Sequence, residues 1–156
     1  MSVRVQREDF DIGAEVRRLA AGRTDIGAIV TFTGVMRNEN DGASIAGMTL
    51  EHYPGMTEAE LARVEAEAGT RWPLQASLIA HRVGALKPGD NIVLVVTASA
   101  HREAAFAAAE FLMDYLKTRA PFWKKEIGAD GAERWVEARD SDDAAAERWE
   151  SGGKTR

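Results

Sequence analysis

The sequence predicts an α+β fold. Strand-like and helix-like stretches are interspersed without strict βαβ alternation, and no internal repeat or low-complexity tract interrupts them. With 156 residues, 45% of them hydrophobic, the chain has the size and composition of one domain with a substantial core. Residues 1–150 are expected to form that single domain, and SGGKTR (151–156) a disordered tail.

The elements follow from local patterns. DIGAEVRRLAAG (11–22) opens on Asp11, whose carboxylate suits a helix cap, spaces Val16 and Leu19 three apart and stops at Gly22, which reads as a short helix. IGAIVTFTGVM (26–36) alternates β-branched and small residues, as a strand does. RNENDGA (37–43) is a polar loop with an Asp-Gly turn signal, and SIAGMTLEHY (44–53) is a second strand with Met48, Leu50 and His52 on one face. These two strands are expected to form a hairpin with a long loop.

PGMTEAELARVEAEAGTRW (54–72) starts at a Pro-Gly turn, offers Thr57 and Glu60 as a capping box, and lines one helical face with Leu61, Val64 and Ala68. QASLIAHRV (75–83) and NIVLVVTASA (91–100) read as strands joined through a Pro-Gly-Asp turn, the second apolar enough to be central. HREAAFAAAEFLMDYLKTRA (101–120) is the longest helical signal. Ser99 is its expected cap, Phe106, Leu112, Met113 and Leu116 sit at core spacing, and Pro121 ends it. KKEIGADGAERWVEA (124–138) reads as a hairpin around Asp130-Gly131, and SDDAAAERWE (141–150) as a last short helix.

Composition excludes several functions. With 29% charged residues, no apolar run near the ~20 residues that span a bilayer and no basic start leading into an apolar stretch, a cytoplasmic protein is expected. The absence of cysteine removes disulfides, thiolate metal sites and cysteine nucleophiles. A formal charge of −5 argues against broad nucleic-acid binding, which needs many cations to displace counterions from phosphates.

Against that acidic balance, KTRAPFWKKE (117–126) sets Lys117, Arg119, Lys124 and Lys125 against the single carboxylate Glu126. Phe122 and Trp123 there could exclude water from a neighbouring ammonium, which would make a lysine usable as proton donor, acceptor or nucleophile. Arg37 lies where a strand gives way to a loop and offers a planar fork for carboxylate or phosphate. His101 and Arg102, in SAHR, stand at a helix N-terminus, the electrostatically unfavourable end for cations unless an anion binds there. His52, Tyr53 and His81 read as structural, and the three histidines have no metal-ligand spacing, so no metal or other cofactor is expected.

His101 and Lys117 are sixteen residues apart on one expected helix, about 24 Å at 1.5 Å per residue. Both reach one small ligand only in a homo-oligomer, with one subunit lending its SAHR end to the other's lysines; a symmetric dimer is the simplest form. The residues themselves fit an enzyme or a non-enzymatic module that binds a pterin or nucleotide phosphate. The second leaves Lys117, Phe122, Trp123 and Lys124 without a task. An RNA-binding domain that stacks bases on Phe122 and Trp123 is disfavoured by the lack of a wider basic stripe.

TFTGVMRNEN, LEHYPGM, HRVGALKPGD, SAHR, MDYLKTRAPFWKKE and RWVEARDSD occur in this order between about residues 26 and 149. Together they closely resemble the large, catalytic subunit of molybdopterin synthase. The resemblance implies an α/β hammerhead fold with an additional antiparallel β subdomain. It also implies a sulfurtransferase of molybdenum cofactor biosynthesis, which converts cyclic pyranopterin monophosphate to molybdopterin by inserting two dithiolene sulfurs. The sulfur donor would be the C-terminal Gly-Gly thiocarboxylate of a small ubiquitin-like subunit, in a heterotetramer built on a central homodimer. That donor fits a chain without thiols.

Carried over by motif, the resemblance implies Lys117 and Lys124 as the catalytic pair, Lys117 nearest the thiocarboxylate carbon and Lys124 as proton shuttle. Arg37, His101 and Arg102 would bind phosphate, Val35, Met36, Lys125 and Glu126 would touch substrate, and Arg139 would reach across the dimer. Met36 departs from the family pattern, where a basic or small residue is common. Its effect depends on whether side chain or backbone meets the substrate.

Overall fold

The computed structural model describes residues 1–136 and 140–150, with residues 140 and 141 described by their place in a helix alone. The expected tail at 151–156 lies outside the described residues, as does Arg139. Nine strands and four helices are found among the described residues, in two sheets.

The first sheet has the order β1-β5-β7-β2, from β1 (Ser2–Gln6), β5 (Leu74–Arg82), β7 (Asn91–Ser99) and β2 (Ala28–Val35). β1 runs parallel to β5, and the other neighbours are antiparallel. The period of two along β5 and β7 sends alternate residues to opposite faces. Ile79, Val93 and Val95 pack beneath α2 (Met56–Arg71) and α3 (Arg102–Thr118), whereas Leu78, Ala80, Leu94 and Val96 pack against Phe10 and the apolar side of α1 (Ile12–Ala20). β7 is interior, as its apolar run predicts. Leu61, Val64 and Ala68 are buried along α2, and α4 (Asp140–Glu150) adds Trp149, whose ring meets Trp72 and Phe111 edge-on at 5.6 Å.

The second sheet has the order β3-β4-β8-β9, with β6 also paired to β4. Its strands are β3 (Glu39–Asn40), β4 (Ala43–His52), β6 (Gly84–Leu86), β8 (Phe122–Gly128) and β9 (Glu133–Val136). Met48, Leu50, Ile45, Leu86 and Met36 form its small apolar core. Two turns foreseen in the sequence are present. Asp41 and Gly42 join β3 to β4 with φ of 51° and 79°, and two positive φ values suit the twist of a two-residue hairpin. Gly131 has φ 83° between β8 and β9.

Four expectations are corrected. The segment 26–36 does not pair with 44–53. β2 instead pairs with β7 over Ala28 to Val35, β4 pairs with β8, and the intervening loop folds its own short strand, β3. Sheet partners are set by long-range burial, which sequence adjacency does not reveal.

The capping box is not Thr57–Glu60. The helix begins earlier, and the Glu58 carboxylate accepts the Gly55 N–H at 3.2 Å. Thr57 is fully buried; its hydroxyl oxygen accepts the Tyr53 N–H at 2.9 Å and its hydroxyl donates to the Pro121 carbonyl at 3.0 Å.

Ser99 does not cap α3, because its hydroxyl donates to the Pro73 carbonyl at 2.8 Å and His101 takes the cap position. Phe106, assigned to the core by spacing, is 53% exposed, while Leu112, Met113 and Leu116 are buried. Helical spacing fixes the buried arc only to within a residue at its margin. Asp11 does cap α1, accepting the Ala14 N–H at 3.0 Å. No helix among the described residues is long and apolar enough to cross a membrane.

A cavity between the sheets as candidate active site

Where the C-terminal end of α3 meets the second sheet, a cavity of about 460 Å³ opens. It is built by three segments that local rules bring together. The first is the exit from β2. Met36 leaves the strand with its N–H on the Asp90 carbonyl (2.9 Å) and its own carbonyl accepting from Gly89 N–H (2.8 Å). The Lys87–Asp90 turn that receives it has φ 93° at Gly89 and accepts the Lys87 N–H on the Asp90 carboxylate at 2.9 Å. Arg37 follows directly and lines the cavity.

The second segment is the end of α3. Lys117 stands in its last turn, where a cation meets the helix dipole favourably. The chain then turns through Ala120 and Pro121 into β8, with the Phe122 N–H on the Ala120 carbonyl at 2.8 Å and Thr57 holding the Pro121 carbonyl from α2. The third is β8 itself. Its alternation sends Phe122, Lys124 and Glu126 into the cavity, so that Lys117 and Lys124 line the same space from two elements.

Glu126 is almost fully buried and braced. Asn40 Nδ2 donates to its two carboxylate oxygens at 3.1 and 2.9 Å, and Arg134 approaches at 3.3 Å. It ties β3 to β8 and β9. Apolar walls come from Ile92, Val93, Met113 and Leu116.

His81, at the end of β5, completes the floor. Its ring stacks on Phe122 with centroids 3.9 Å apart and planes 18° apart. Burial and the charge of Lys117 hold it neutral, with its pKa lowered to about 4. An unfolded histidine titrates near 6.5, so between the two values the unfolded chain binds a proton that the folded chain refuses. Stability is therefore complete above pH 6.5 and falls as the pH drops toward 4, by about 3 kcal/mol at ~1.4 kcal/mol per pH unit. Urea unfolding at pH 7 and pH 4.5 is expected to show a smaller acid loss in His81→Gln than in wild type; equal losses would assign the acid sensitivity elsewhere.

A second cleft, about 360 Å³, lies between α2, α3 and α4. Its arginines are engaged with carboxylates across short gaps, Arg63 with Glu60, Arg71 with Glu67 and Arg119 with Glu150. It resembles a solvated ion-pair surface more than an anion site.

Comparison with known proteins gives the family. A family model described as "MoaE protein" matches residues 5–119. The chain belongs to the MoaE family. It is 58% identical over 96% of its length to the molybdopterin synthase catalytic subunit of Mesorhizobium japonicum, covering 94% of that protein. It is 59% identical to the protein of that name from Pseudomonas aeruginosa, over 96% of this chain and 99% of the other. The solved structure of the molybdopterin biosynthesis MoaE protein from Burkholderia ambifaria superposes with a TM-score of 0.81 at 54% identity, over 96% of this chain and 97% of that one.

Within this MoaE-family chain, six of the expected catalytic and substrate-binding residues line the cavity together: Val35, Met36, Arg37, Lys117, Lys124 and Glu126. Met36 has both backbone polar groups engaged and its side chain packed with Ile45, Met48 and Leu50. Lys125 is on the opposite face of β8, 3.4 Å from Glu133 and with its ammonium 5.4 Å from the centre of the Trp135 ring, and Trp123 is exposed on that same face. A period of two forbids consecutive residues from sharing a face, and that signal was available in KKE.

His101 and Arg102 are exposed at the far end of α3 and do not line the cavity. The residues missed were His81 and Asn40. His81 was legible as a helix-facing position, two residues after Ile79 on β5; the 86-residue link from Asn40 to Glu126 left no local trace.

Proposed function

We propose that the chain is the catalytic subunit of a molybdopterin synthase, transferring two sulfurs from a small ubiquitin-like subunit's C-terminal thiocarboxylate to cyclic pyranopterin monophosphate. The convergence of Lys117, Lys124 and Arg37 on one partly apolar cavity carries this reading. Both the phosphate and the thiocarboxylate are anions, and the chain has no cysteine to carry sulfur itself. In each transfer the donor sulfur replaces an oxygen substituent at a pterin side-chain carbon, the carbon–oxygen bond breaking and the oxygen leaving protonated or on phosphate. Water then cleaves the acyl–sulfur bond to leave the small subunit as carboxylate. Lys117 would face the thiocarboxylate carbon and Lys124 would move protons during addition. Arg37 would hold the phosphate as a planar fork.

The site is completed, in this reading, by a second copy. α3 is one helix from Arg102 to Thr118, so His101 stands about 24 Å from Lys117. β2 is an edge strand with Ile29, Phe32 and Val35 exposed, and Phe106 is exposed on α3. Such an edge invites pairing. Two β2 strands laid antiparallel about a two-fold axis near Thr31 and Phe32 would set Val35 beside Ala28 of the partner subunit. Ala28 pairs with Ser99 in its own sheet, two residues before His101. Seven steps of strand, about 23 Å, thus match the helix length, and His101 and Arg102 of the partner subunit would arrive near Arg37. Arg139 and Lys125 are proposed as further contacts of the assembled enzyme.

The test is product formation by the purified chain given cyclic pyranopterin monophosphate and a thiocarboxylated small subunit, with the carboxylate form as control. Thiocarboxylate-dependent molybdopterin is expected. Binding without conversion, using a small subunit proven active with another large subunit, would overturn the enzymatic reading in favour of a binding module.

A further inference from the structure

His81 lines the cavity but has no part in the chemistry above. Its placement is specific. The alternation of β5 puts it on the helix-facing side with Ser77 and Ile79, at the strand end that meets the close of α3. The ring is 7% exposed and clamped by the stacked Phe122, whose own position follows from the turn that Thr57 anchors. Nδ1 lies 2.8 Å from the Arg82 carbonyl oxygen. A carbonyl only accepts, so Nδ1 carries the proton and Nε2 keeps its lone pair.

No other hydrogen bond of the ring is found among the described residues, and His81 and Lys117 line the same cavity, from the end of β5 and the last turn of α3. The cavity sets Lys117, Lys124 and Arg37 beside the carboxylates Glu39, Asp41, Glu126 and Asp142, and a neutral acceptor on its floor has an evident use there. Lys117 has three donor protons on a flexible four-carbon stem, and a fixed acceptor reduces the orientations that stem must search.

We propose that His81 is a positioning residue for this site, its Nε2 accepting a hydrogen bond from the Lys117 ammonium and holding that group over the cavity. The purpose of this bond rests on the sulfur-transfer reading, while its formation follows from the shared cavity alone. No bond is made or broken at His81, and the proton stays on Lys117. Phe122 fixes the ring plane, Arg82 fixes the tautomer, and the two together aim the lone pair.

His81→Phe keeps an aromatic ring against Phe122 and removes the acceptor, whereas His81→Gln keeps a neutral amide acceptor. With thiocarboxylated small subunit and pterin substrate, His81→Phe is expected to lose about tenfold to a hundredfold in kcat, with little change in KM for the small subunit. His81→Gln is expected to recover most of that loss. Unchanged kcat in His81→Phe, or equal loss in both variants in step with their Tm, would overturn the proposal.

A measurement on the folded wild type covers the case in which His81→Phe does not fold. The ¹⁵N resonance of His81 Nε2 is expected to shift between wild type and Lys117→Ala, and an unchanged resonance would overturn the contact. Absence of product from wild type itself would count against the sulfur-transfer reading, while the ¹⁵N comparison would still decide the His81–Lys117 contact.

Discussion

Replacing Lys117 by Ala is expected to lower molybdopterin formation by about 10²- to 10⁴-fold, the range lost when a positioned proton-transfer group is removed. The side chain is exposed at the end of α3 and contributes no core packing. Its loss costs the favourable meeting with the helix dipole, about 0.3–1 kcal/mol, too little to unfold the domain. Circular dichroism, thermal unfolding and light scattering are therefore expected to report a folded protein of unchanged oligomeric state beside the lost activity. Single-turnover assay with the thiocarboxylated small subunit checks the first point, and near-normal turnover would remove Lys117 from the mechanism.

Mixing the Lys117→Ala chain with a His101→Ala chain is expected to restore activity that neither has alone. Each composite site would take Lys117 from one subunit and His101 from its partner. In a mixed dimer one site is then wholly native and the other lacks both groups. Random assortment makes half the dimers mixed and half of their sites native, so recovery should approach about a quarter of wild type. The assay needs subunit exchange confirmed by mass spectrometry of differently tagged chains. Exchange without rescue would mean that the two ends of α3 serve separate purposes, and the exposed cations at Arg102 would need another ligand.

Both predictions turn on the length of one helix. α3 carries Ala104, Ala105, Ala107, Ala108 and Ala109 buried against β7 and β2, small residues that let it lie close to the sheet without a break. It separates two basic ends rigidly, and a rigid separation of that size cannot be closed by side-chain motion. The same rigidity fixes where Lys117 meets β8.

Much of this was legible in the chain itself. The α+β class, the Asp11 cap, the Asp41-Gly42 and Asp130-Gly131 turns, the buried face of α2 and the central place of β7 all follow from local chemistry: a short carboxylate that accepts backbone N–H groups, glycines that tolerate positive φ, and apolar spacing at 3.6 or 2 residues. The basic character of KTRAPFWKKE was equally plain, since charge is a property of composition.

What only the tertiary structure decided were the partnerships across long separations. The pairing of β2 with β7 rather than β4, the Thr57 hold on Pro121, the Asn40–Glu126 brace and the stacking of His81 on Phe122 join residues 41 to 86 positions apart, or strands whose rivals have the same β propensity. Burial of shared apolar surface selects among such partners, and it depends on the whole packed chain rather than on any window of it. For the same reason spacing alone does not place Phe106: it suits a core, but its ring is left exposed beside the buried alanines of α3.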